Sequence, residues 1–452
     1  MNWRVSATAF LTALVGPCVL AADAAQPLPK AQPNVIFLFT DDQRADTIGA
    51  LGNEHIHTPR LDALARRGFV FNSAYCLGGN SPAVCLPSRN MLLSGRAYFR
   101  WQGPQAPADE RTFPAAMKAA GYETYHHGKR GNSALQIQAT FDTNKYVSDN
   151  EDRTNGEPCR TIVNEAIDFL GERKRGDKPV FMYLAFSNPH DPRVAAQEYL
   201  DLYERDKIPL PKNFKPLHPF NNGEQLVRDE RLAGFPRTED EIRRHLHEYY
   251  AVISAMDHHI GRLLDAVKQL GQEENTLYIF SSDQGLAVGS HGLMGKQNLY
   301  DDGMRVPLFF AGPGIPQGES SALCYLHDIF PTVCDLVGAK IPEGLDGESQ
   351  RAVIDGKTAG IRDTLFFAYR DVQRAVRDRR YKLIRYPQVN VTQLFDLQTD
   401  PHELTNLADD PRQAERITSL TAEMRRWQSQ FGDKTPLVVD QPQDPAFVPP
   451  KP

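Results

Sequence analysis

The sequence predicts an α/β fold with a large, mostly parallel β-sheet covered on both faces by helices. Four short apolar runs, rich in β-branched and aromatic residues, indicate buried strands at residues 34–40, 180–186, 276–281 and 306–311. Each run follows or precedes a helical pattern. Strands that are apolar on both faces and alternate with helices are typical of a parallel sheet buried between two helical layers.

The segment between the second and third strands is predicted to be a long amphipathic helix. From Ile242 to Leu270 its apolar residues recur at steps of three and four, which is the helical period. Thr238, followed three residues later by Glu241, fits a capping box at the start of this helix.

The C-terminal part of the sequence has a different pattern of residues. A Gly/Pro-rich stretch at residues 341–347 precedes strand-like runs at residues 364–369 and 381–386 and a helix at residues 411–431. These features predict a small α+β subdomain, an antiparallel sheet with a packed helix. The expected organisation is a signal peptide at residues 1–24, a main domain at 30–345, the C-terminal subdomain at 346–440 and a Pro-rich tail at 441–452.

The N-terminus predicts an exported protein, periplasmic or secreted. Arg4 precedes an apolar run at residues 7–20 and then small residues, the pattern of a cleaved secretory signal. This run is too short to cross a bilayer, and no later segment reaches the roughly 18 apolar residues of a membrane span. A formal net charge of -6 leaves no large basic field, which argues against a nucleic-acid partner.

The six cysteines do not have the spacing of a metal finger. Cys18 belongs to the predicted signal. Because export permits disulfides, Cys324 and Cys334 are one pair that the sequence allows, and an odd number leaves one cysteine over.

Polar residues stand directly after three predicted strands. Asp41 and Asp42 follow the first, His190 follows the second, and Asp283 and Gln284 follow the third. Each also has an ordinary interpretation when taken singly. Asp41 and Asp42 fit a helix cap, His190 fits a loop histidine, and Asp283 with Gln284 fits a turn. Because open α/β sheets bind ligands beyond the carboxyl ends of their strands, three such positions together indicate a site. Carboxylate and amide oxygens suit Ca²⁺ or Mg²⁺ and do not suit zinc.

Cys85 is predicted to lie at the start of a helix, because Pro87 fits the first helical turn and apolar residues follow at 91–93. Free backbone N–H groups there favour an anion, and Arg89 adds a fixed charge. The other interpretation is a buried structural cysteine. The polar, Pro/Gly-rich residues 78–82 argue for a shallow position.

The run Cys85-Leu86-Pro87-Ser88-Arg89, with the aspartates before it and Asp283-Gln284 after it, resembles the formylglycine-dependent (type I) sulfatase family. The resemblance covers nearly the whole chain after the signal. It also rests on the order of further motifs, namely Gly128-Lys129, His190, the run from His291 to Lys296, and Arg305-Val306-Pro307. It implies an alkaline-phosphatase-like fold with a large mixed sheet, and hydrolysis of sulfate esters.

The resemblance also implies roles for individual residues. A Ca²⁺ ion, or Mg²⁺, would be bound by Asp41, Asp42, Cys85, Asp283 and Gln284, and a formylglycine-generating or equivalent maturation enzyme would convert Cys85 to formylglycine. The residues expected to bind the sulfate and the nucleophile are Arg89, Lys129, His190 and Lys296, with His190 as proton donor to the leaving alcohol.

The chain departs from the family pattern at Gly131, where Gly-Lys-x-His would place a histidine. His126, His127 and His291 are the candidates to fill that role, and adjacent strand residues such as the first two point in opposite directions.

For the leaving group, the expected contacts are Arg193, Arg370 and Asp371, with Arg374 a further arginine nearby. The expected substrate is a sulfated carbohydrate, attacked by an exo-acting enzyme. Two other functions stay open: a phosphohydrolase of the same superfamily and a non-catalytic sulfated-glycan-binding relative.

Overall fold

The structure is a computed structural model that describes residues 32–174 and 176–450, so the predicted signal peptide lies outside the described residues. Its strands are β1 (Asn34–Thr40), β2 (Phe69–Phe71), β3 (Ala74–Tyr75), β4 (Gly78–Gly79), β5 (Glu123–Gly128), β6 (Thr143–Tyr146), β7 (Val180–Ala185), β8 (Thr276–Ser282), β9 (Leu308–Ala311), β10 (Gly318–Ser320), β11 (Cys324–Tyr325), β12 (Leu365–Tyr369), β13 (Gln373–Arg377), β14 (Tyr381–Tyr386) and β15 (Val391–Asp396).

The α-helices of the same residues are α1 (Pro59–Arg66), α2 (Cys85–Ser94), α3 (Phe113–Ala119), α4 (Leu135–Gln138), α5 (Asp149–Thr154), α6 (Arg160–Glu172), α7 (Gln197–Leu200), α8 (Glu239–Gln269), α9 (Asp301–Met304), α10 (Ile329–Val337), α11 (Arg351–Ile354) and α12 (Ala414–Phe431). Among the helices described, none is long and apolar enough to cross a membrane.

The main sheet has eight strands in the order β10-β2-β9-β8-β1-β7-β5-β6. Strand β1 is parallel to both β7 and β8, whereas β9 is antiparallel to its neighbours β8 and β2. The predicted fold class is therefore confirmed, and so are the four strands, although the fourth begins at Leu308 and runs against the others.

Strand β1 shows why helices cover both faces of this sheet. Val35, Phe37 and Phe39 pack into one buried cluster with side chains of α2, α3 and α10, while Ile36 and Leu38 pack into a second with α1, α6 and α8. Because successive strand side chains point to opposite faces, an all-apolar strand needs an apolar partner on each side.

The predicted long helix is α8, a helix of 31 residues. The hydroxyl of Thr238 accepts a hydrogen bond from the Glu241 backbone N–H and so caps its first turn. The second half of the predicted capping box does not form, because the Glu241 carboxylate accepts from the backbone N–H of Gly234 instead.

The C-terminal residues form a five-stranded sheet in the order β15-β14-β13-β12-β4. Strands β12 to β15 are antiparallel, as expected, and α12 packs its apolar side against them through Leu420, Met424 and Trp427. The fifth strand, Gly78–Gly79, comes from the main domain and lies parallel to β12. A Cβ at Gly78 would lie 2.1 Å from the Ala368 carbonyl oxygen, so only glycine allows this approach.

The pair that the sequence allows, Cys324 with Cys334, is not joined in the structure. Cys324 in β11 and Cys334 within α10 are both buried free thiols, as are the other cysteines of the described residues.

The Pro-rich tail is docked on the protein. The Asn221 backbone N–H donates to the Pro445 carbonyl at 2.7 Å, and the Gln443 N–H donates to the Gln388 carbonyl at 2.8 Å. The ring of Phe447 meets Phe235 edge-on at 5.4 Å. The tail therefore ties residues 221–235, a loop of the main domain, to the C-terminal subdomain.

Candidate active site

The polar residues after strands β1 and β8 meet at one edge of the main sheet. Asp41 and Asp42 directly follow β1, and Asp283 and Gln284 directly follow β8; all four side chains are buried. The parallel register of these strands places Thr40 opposite Ser282, so both acidic segments leave the sheet at the same level. The Asp42 backbone N–H donates to Asp283 Oδ1 at 3.0 Å and links the two segments.

Cys85 lies against this carboxylate cluster. Its Sγ is 3.2 Å from Asp41 Oδ1 and 3.7 Å from Asp42 Oδ1. One ligand atom each from Asp41, Asp42, Cys85 and Asp283 lie within 4.8 Å of one another. The residues that the sequence proposed for a single site are thus adjacent in space.

Helix α2 positions the cysteine at its N-terminus, as predicted. Ser88 Oγ donates to the Asp283 carbonyl at 2.6 Å and anchors the helix to the end of β8. A Cβ at Gly79 would lie 2.5 Å from Pro87 Cγ, so the glycine lets α2 pack on β4. The expectation of a shallow cysteine is wrong: Cys85 is 1% exposed, and the helix that it begins is packed between the two sheets through Met91, Leu92 and Leu93.

Three cations surround the cluster. Arg89 Nε is 2.9 Å from Asp283 Oδ2, and Lys129 Nζ donates to Asp41 Oδ2. Lys296 Nζ is 2.7 Å from each Asp42 carboxylate oxygen and 3.1 Å from Cys85 Sγ. Charge-assisted hydrogen bonds of this kind offset the cost of burying both signs of charge.

Arg153 is a fourth cation that the sequence did not suggest. Its Nη2 is 3.7 Å from Asp41 Oδ2 and its Nε donates to the Ser187 carbonyl at 3.0 Å. The arginine lies on the short helix α5, where no local pattern distinguishes it from a solvated surface residue.

Burial and charge act in opposite directions on these carboxylates. Burial tends to raise the pKa of Asp41, but Lys129 and Arg89 outweigh it and hold that pKa well below its usual range. For Asp42, burial prevails over Lys296 and the pKa rises to about 7, with the charges of Asp41 and Asp283 adding to the rise. A buried group of acids that repel one another is a site that a cation would stabilise.

The amide of Gln284 supports the same interpretation. Its Nε2 donates to Asp42 Oδ1 at 3.3 Å and to Cys85 Sγ at 3.1 Å, while its buried Oε1 has no hydrogen-bond partner. Rotation of the amide by half a turn exchanges these atoms and directs the oxygen at the cluster. The residues then offer the oxygen-rich set that Ca²⁺ or Mg²⁺ prefers, and they fit the metal that the sequence motifs imply.

His190 lies beside the same cluster. Its Nε2 is 3.7 Å from Asp42 Oδ2, and its Nδ1 is 2.7 Å from the Asp191 carbonyl oxygen, to which it donates. Burial, followed by the charge of Lys296, lowers the pKa of this histidine well below its usual range. Before an anion binds, the ring is therefore neutral, with Nε2 facing the cluster.

A cavity of about 340 Å³ opens onto Cys85. The lining residues that contact the carboxylate cluster form its inner wall: Cys85, Lys129, Arg153, His190 and Lys296. The other lining residues form its outer wall and are mostly polar, namely Asn132, Asp149, Arg228, Asp229 and Gln297, with Pro82, Ala83, Gly131 and Val227.

The sequence model of the sulfatase family matches residues 33–339. The chain belongs to the sulfatase family. Residues 289–430 match the C-terminal model of N-sulphoglucosamine sulphohydrolase. The family resemblance inferred from the motifs around Cys85 is therefore confirmed.

Individual relatives of this sulfatase cover most of its length. An arylsulfatase of Clostridium perfringens is 27% identical, with 86% of this chain and 93% of the relative aligned. An N-acetylglucosamine-6-O-sulfatase of Bacteroides thetaiotaomicron is 25% identical, over 90% of this chain and 88% of the relative.

Solved structures show the same fold. BT4656, in complex with its substrate D-glucosamine-2-N,6-O-disulfate, superposes with a TM-score of 0.74 at 23% identity, over 90% of this chain and 99% of that one. A phosphonate monoester hydrolase of Agrobacterium radiobacter has a TM-score of 0.76 at 22% identity, over 89% of this chain and 97% of that one.

His291 of this sulfatase is not brought to the cavity on Cys85, so its expected catalytic role is corrected. Its Nε2 is 3.0 Å from Asn213 Nδ2 and its ring stacks on Tyr300 at 3.8 Å. The left-handed backbone of His291, with φ of 55°, turns the side chain toward the C-terminal sheet.

His126 and His127 are strand residues with other partners. His126 Nδ1 bonds to Asn144 Oδ1 at 2.7 Å on the neighbouring strand, and His127 Nδ1 lies 3.7 Å from Glu165 on the opposite face. Neither ring replaces a side chain at Gly131.

The expected leaving-group residues also lie elsewhere. Arg193 is buried, with its guanidinium 5.1 Å from the Tyr249 ring centre and its Nε donating to the Pro189 carbonyl; it does not line the cavity on Cys85, and its contact with substrate stays a prediction. Arg374 is engaged by Asp433. Arg370 pairs with Glu224, beside the exposed Asp371.

Arg370 and Asp371 are not among the residues that line the cavity on Cys85, and their contact with substrate stays a prediction.

Proposed function

We propose that this sulfatase hydrolyses sulfate esters of carbohydrates, with Cys85 converted to formylglycine and Ca²⁺ bound by the adjacent cluster. The observation that carries the proposal is the position of Cys85 Sγ, 3.2 Å from Asp41 and 3.1 Å from Lys296, at the inner end of an open cavity. A reactive group held there touches both the cation site and the positive charges that an anion requires.

The metal would be held by Asp41, Asp42, Asp283 and the Gln284 oxygen, with Cys85 Sγ marking where an oxygen of formylglycine would stand. When bound, a divalent cation draws charge from the sulfate as a Lewis acid. Ca²⁺ accommodates the larger number of oxygen ligands that this set provides, and Mg²⁺ is the second choice.

A hydrated formylglycine supplies two hydroxyl groups on one carbon, one to attack sulfur and one to drive the later release of sulfate. The chain itself supplies the surrounding charge. Lys129, Lys296 and Arg153 neutralise a bound sulfate. Arg89 holds Asp283 in position through its 2.9 Å bond.

His190 is proposed as the proton donor to the leaving oxygen. Its Nδ1 is held by the Asp191 carbonyl, which fixes the ring and leaves Nε2 toward the cavity. A bound sulfate brings negative charge next to the ring, which raises the pKa of the histidine and lets Nε2 hold a proton.

A carbohydrate is favoured by the lining of the outer cavity. Asn132 and Arg228 offer amide and guanidinium groups that hydrogen-bond to hydroxyls, and few apolar groups are available to bind an aryl ring. The relative named as an N-acetylglucosamine-6-O-sulfatase and BT4656 with its glucosamine disulfate agree with this choice. The N-terminal pattern further supports export to the periplasm or beyond.

The proposal is tested by producing the protein in a host that converts sulfatase cysteines and measuring sulfate release from sulfated mono- and disaccharides. Release from at least one sugar, lost on chelation and restored by Ca²⁺, is expected. Binding without release would support a non-catalytic module. Faster release of phosphate or phosphonate esters by unconverted protein would support the phosphohydrolase alternative.

A further inference from the structure

The carboxylate of Asp149 occupies an unusual place in the cavity on Cys85. Its Oδ1 accepts a hydrogen bond from the Arg130 backbone N–H at 3.1 Å, and its Oδ2 accepts one from the Gly131 N–H at 2.9 Å. Both donors belong to the turn that directly follows Lys129. The two bonds fix the carboxylate at the edge of the cavity, beside the positively charged inner wall.

Gly131 makes this position available. A Cβ on residue 131 would lie 2.6 Å from Asp149 Oδ2, closer than such atoms approach in proteins. Any side chain at 131 would therefore displace the carboxylate. The glycine that interrupts the expected motif and the acid that fills its space form one structural unit.

The charge of Asp149 is not neutralised by a side chain among the described residues. The other acid on the outer wall, Asp229, is held by Arg228 at 3.1 Å and by Gln297 at 2.8 Å. Asp149 instead contacts only the two backbone N–H groups and is partly exposed to the cavity. A carboxylate has about four acceptor positions, so two remain for a ligand.

Helix α5 presents opposite charges to the same cavity. Asp149 and Arg153 are four residues apart and lie on one face of the helix, and both line the cavity. Arg153 reaches inward to within 3.7 Å of Asp41, whereas Asp149 stays at the outer turn. A sulfate ester bound at Cys85 would thus meet positive charge at the sulfate and a negative charge beside its leaving group.

We propose that Asp149 is a specificity-determining residue that accepts a hydrogen bond from an O–H or N–H donor on the leaving sugar. This inference rests on the proposed function of the site. The carboxylate favours a hydroxyl or an ammonium group near the ester and repels a second sulfate or a carboxylate at that position. A hydroxyl and an ammonium group would both donate a hydrogen bond to this carboxylate, and substrate analogues distinguish them.

The test uses the sulfated monosaccharide that wild-type protein hydrolyses best, together with analogues in which each free hydroxyl or amino group is replaced in turn by hydrogen. We expect one analogue to lose about tenfold or more in kcat/KM with wild-type protein, as for loss of a charge-assisted hydrogen bond. In Asp149→Ala the kcat/KM of the parent sugar should fall to the value that wild-type protein has for that analogue. The kcat/KM of the analogue itself should change by less than about twofold.

Gly131→Ala provides an independent variant that keeps the acid but displaces it. We expect the same selective loss, and no further loss in the double variant with Asp149→Ala. Glu151→Gln is the matched control, because Glu151 is an exposed acid in the first turn of the same helix and should leave all rates unchanged. If the affected analogue is the one that lacks the amino group, the donor is an ammonium group; if it is one that lacks a hydroxyl, the donor is that hydroxyl.

The results separate this inference from the proposed function. If wild-type protein releases sulfate from no ester, the proposed function fails. If it is active but Asp149→Ala lowers kcat/KM of the parent sugar and of every analogue by the same factor, Asp149 only supports the turn, and the specificity role is refuted. Unchanged kcat/KM for all sugars in both Asp149→Ala and Gly131→Ala refutes it as well.

Discussion

Lys382 is the centre of a buried charge cluster that joins the C-terminal sheet to the main domain, and its replacement by methionine should destabilise the protein strongly. Its ammonium, fully buried on β14, lies 2.9 Å from Asp301 Oδ1 and 2.9 Å from Glu403 Oε1. Removal of one partner from a buried ion pair costs about 3–5 kcal/mol, because the remaining charge stays desolvated. Here two carboxylates would lose this cation at once, while Asp301 would keep the more distant Arg377, at 3.9 Å.

The loss of stability in Lys382→Met should be larger at high pH than at low pH. Burial raises the pKa of Glu403 from 4.5 to about 7 even though Lys382 lowers it. The folded chain therefore binds this proton more tightly than the unfolded chain, and the free energy of unfolding falls as pH rises from about 4.5 to about 7. A shift of that size corresponds to roughly 3 kcal/mol. Without Lys382 the pKa rises further, so the fall continues to higher pH.

Urea unfolding of wild type and Lys382→Met at pH 5 and pH 8 measures the difference in their free energies of unfolding. We expect a loss of about 3–5 kcal/mol at pH 8 and a smaller loss at pH 5, where protonation removes part of the penalty. The control is Lys207→Met, which breaks the exposed pair with Glu204 and should cost less than about 1 kcal/mol. A loss that is equal at the two pH values, or as small as in the control, would refute this reasoning.

Three further predictions concern the site. Cys85→Ala should abolish sulfate release while the chain still folds, as checked by turnover and circular dichroism; normal turnover would contradict the assigned nucleophile. Lys296→Met should lower kcat by about 10²–10³-fold, as for loss of one preorganised charge next to the reacting group, and a change in KM alone would argue against it. Truncation after Asp440 removes the tail contacts to Asn221 and Phe235. KM should rise while the thermal midpoint falls little; an unchanged KM would show that the tail is not needed to hold residues 221–235 in place.

The chemistry at the strand ends was predictable from the sequence. Asp41, Asp42 and Asp283 follow apolar runs that are recognisable as buried strands, and parallel strands carry such residues to one edge. The start of α2 at Cys85 was predictable as well, because Pro87 and the apolar residues after it are typical of a helix start.

Features that depend on distant packing were not predictable. Gly78–Gly79 has no strand propensity, and it forms a strand only because β12 pairs with it across the domain boundary. The burial of Cys85 follows from packing between two sheets and not from its polar neighbours. Arg153 and Asp149 reach the cavity from a six-residue helix that lies between β6 and α6. His291 seemed close to the site along the chain, yet a left-handed turn directs it away.

The most direct test of the central claim is the rate of sulfate release measured against the fraction of Cys85 converted to formylglycine. Preparations with different degrees of conversion are obtained by varying the maturation enzyme in the host, and the conversion is read from the mass of the peptide that contains Cys85, in which oxygen replaces sulfur and two hydrogens are lost. We predict a straight line through the origin. Sulfate release by protein whose Cys85 is entirely thiol, or the same rate at every degree of conversion, would contradict the account.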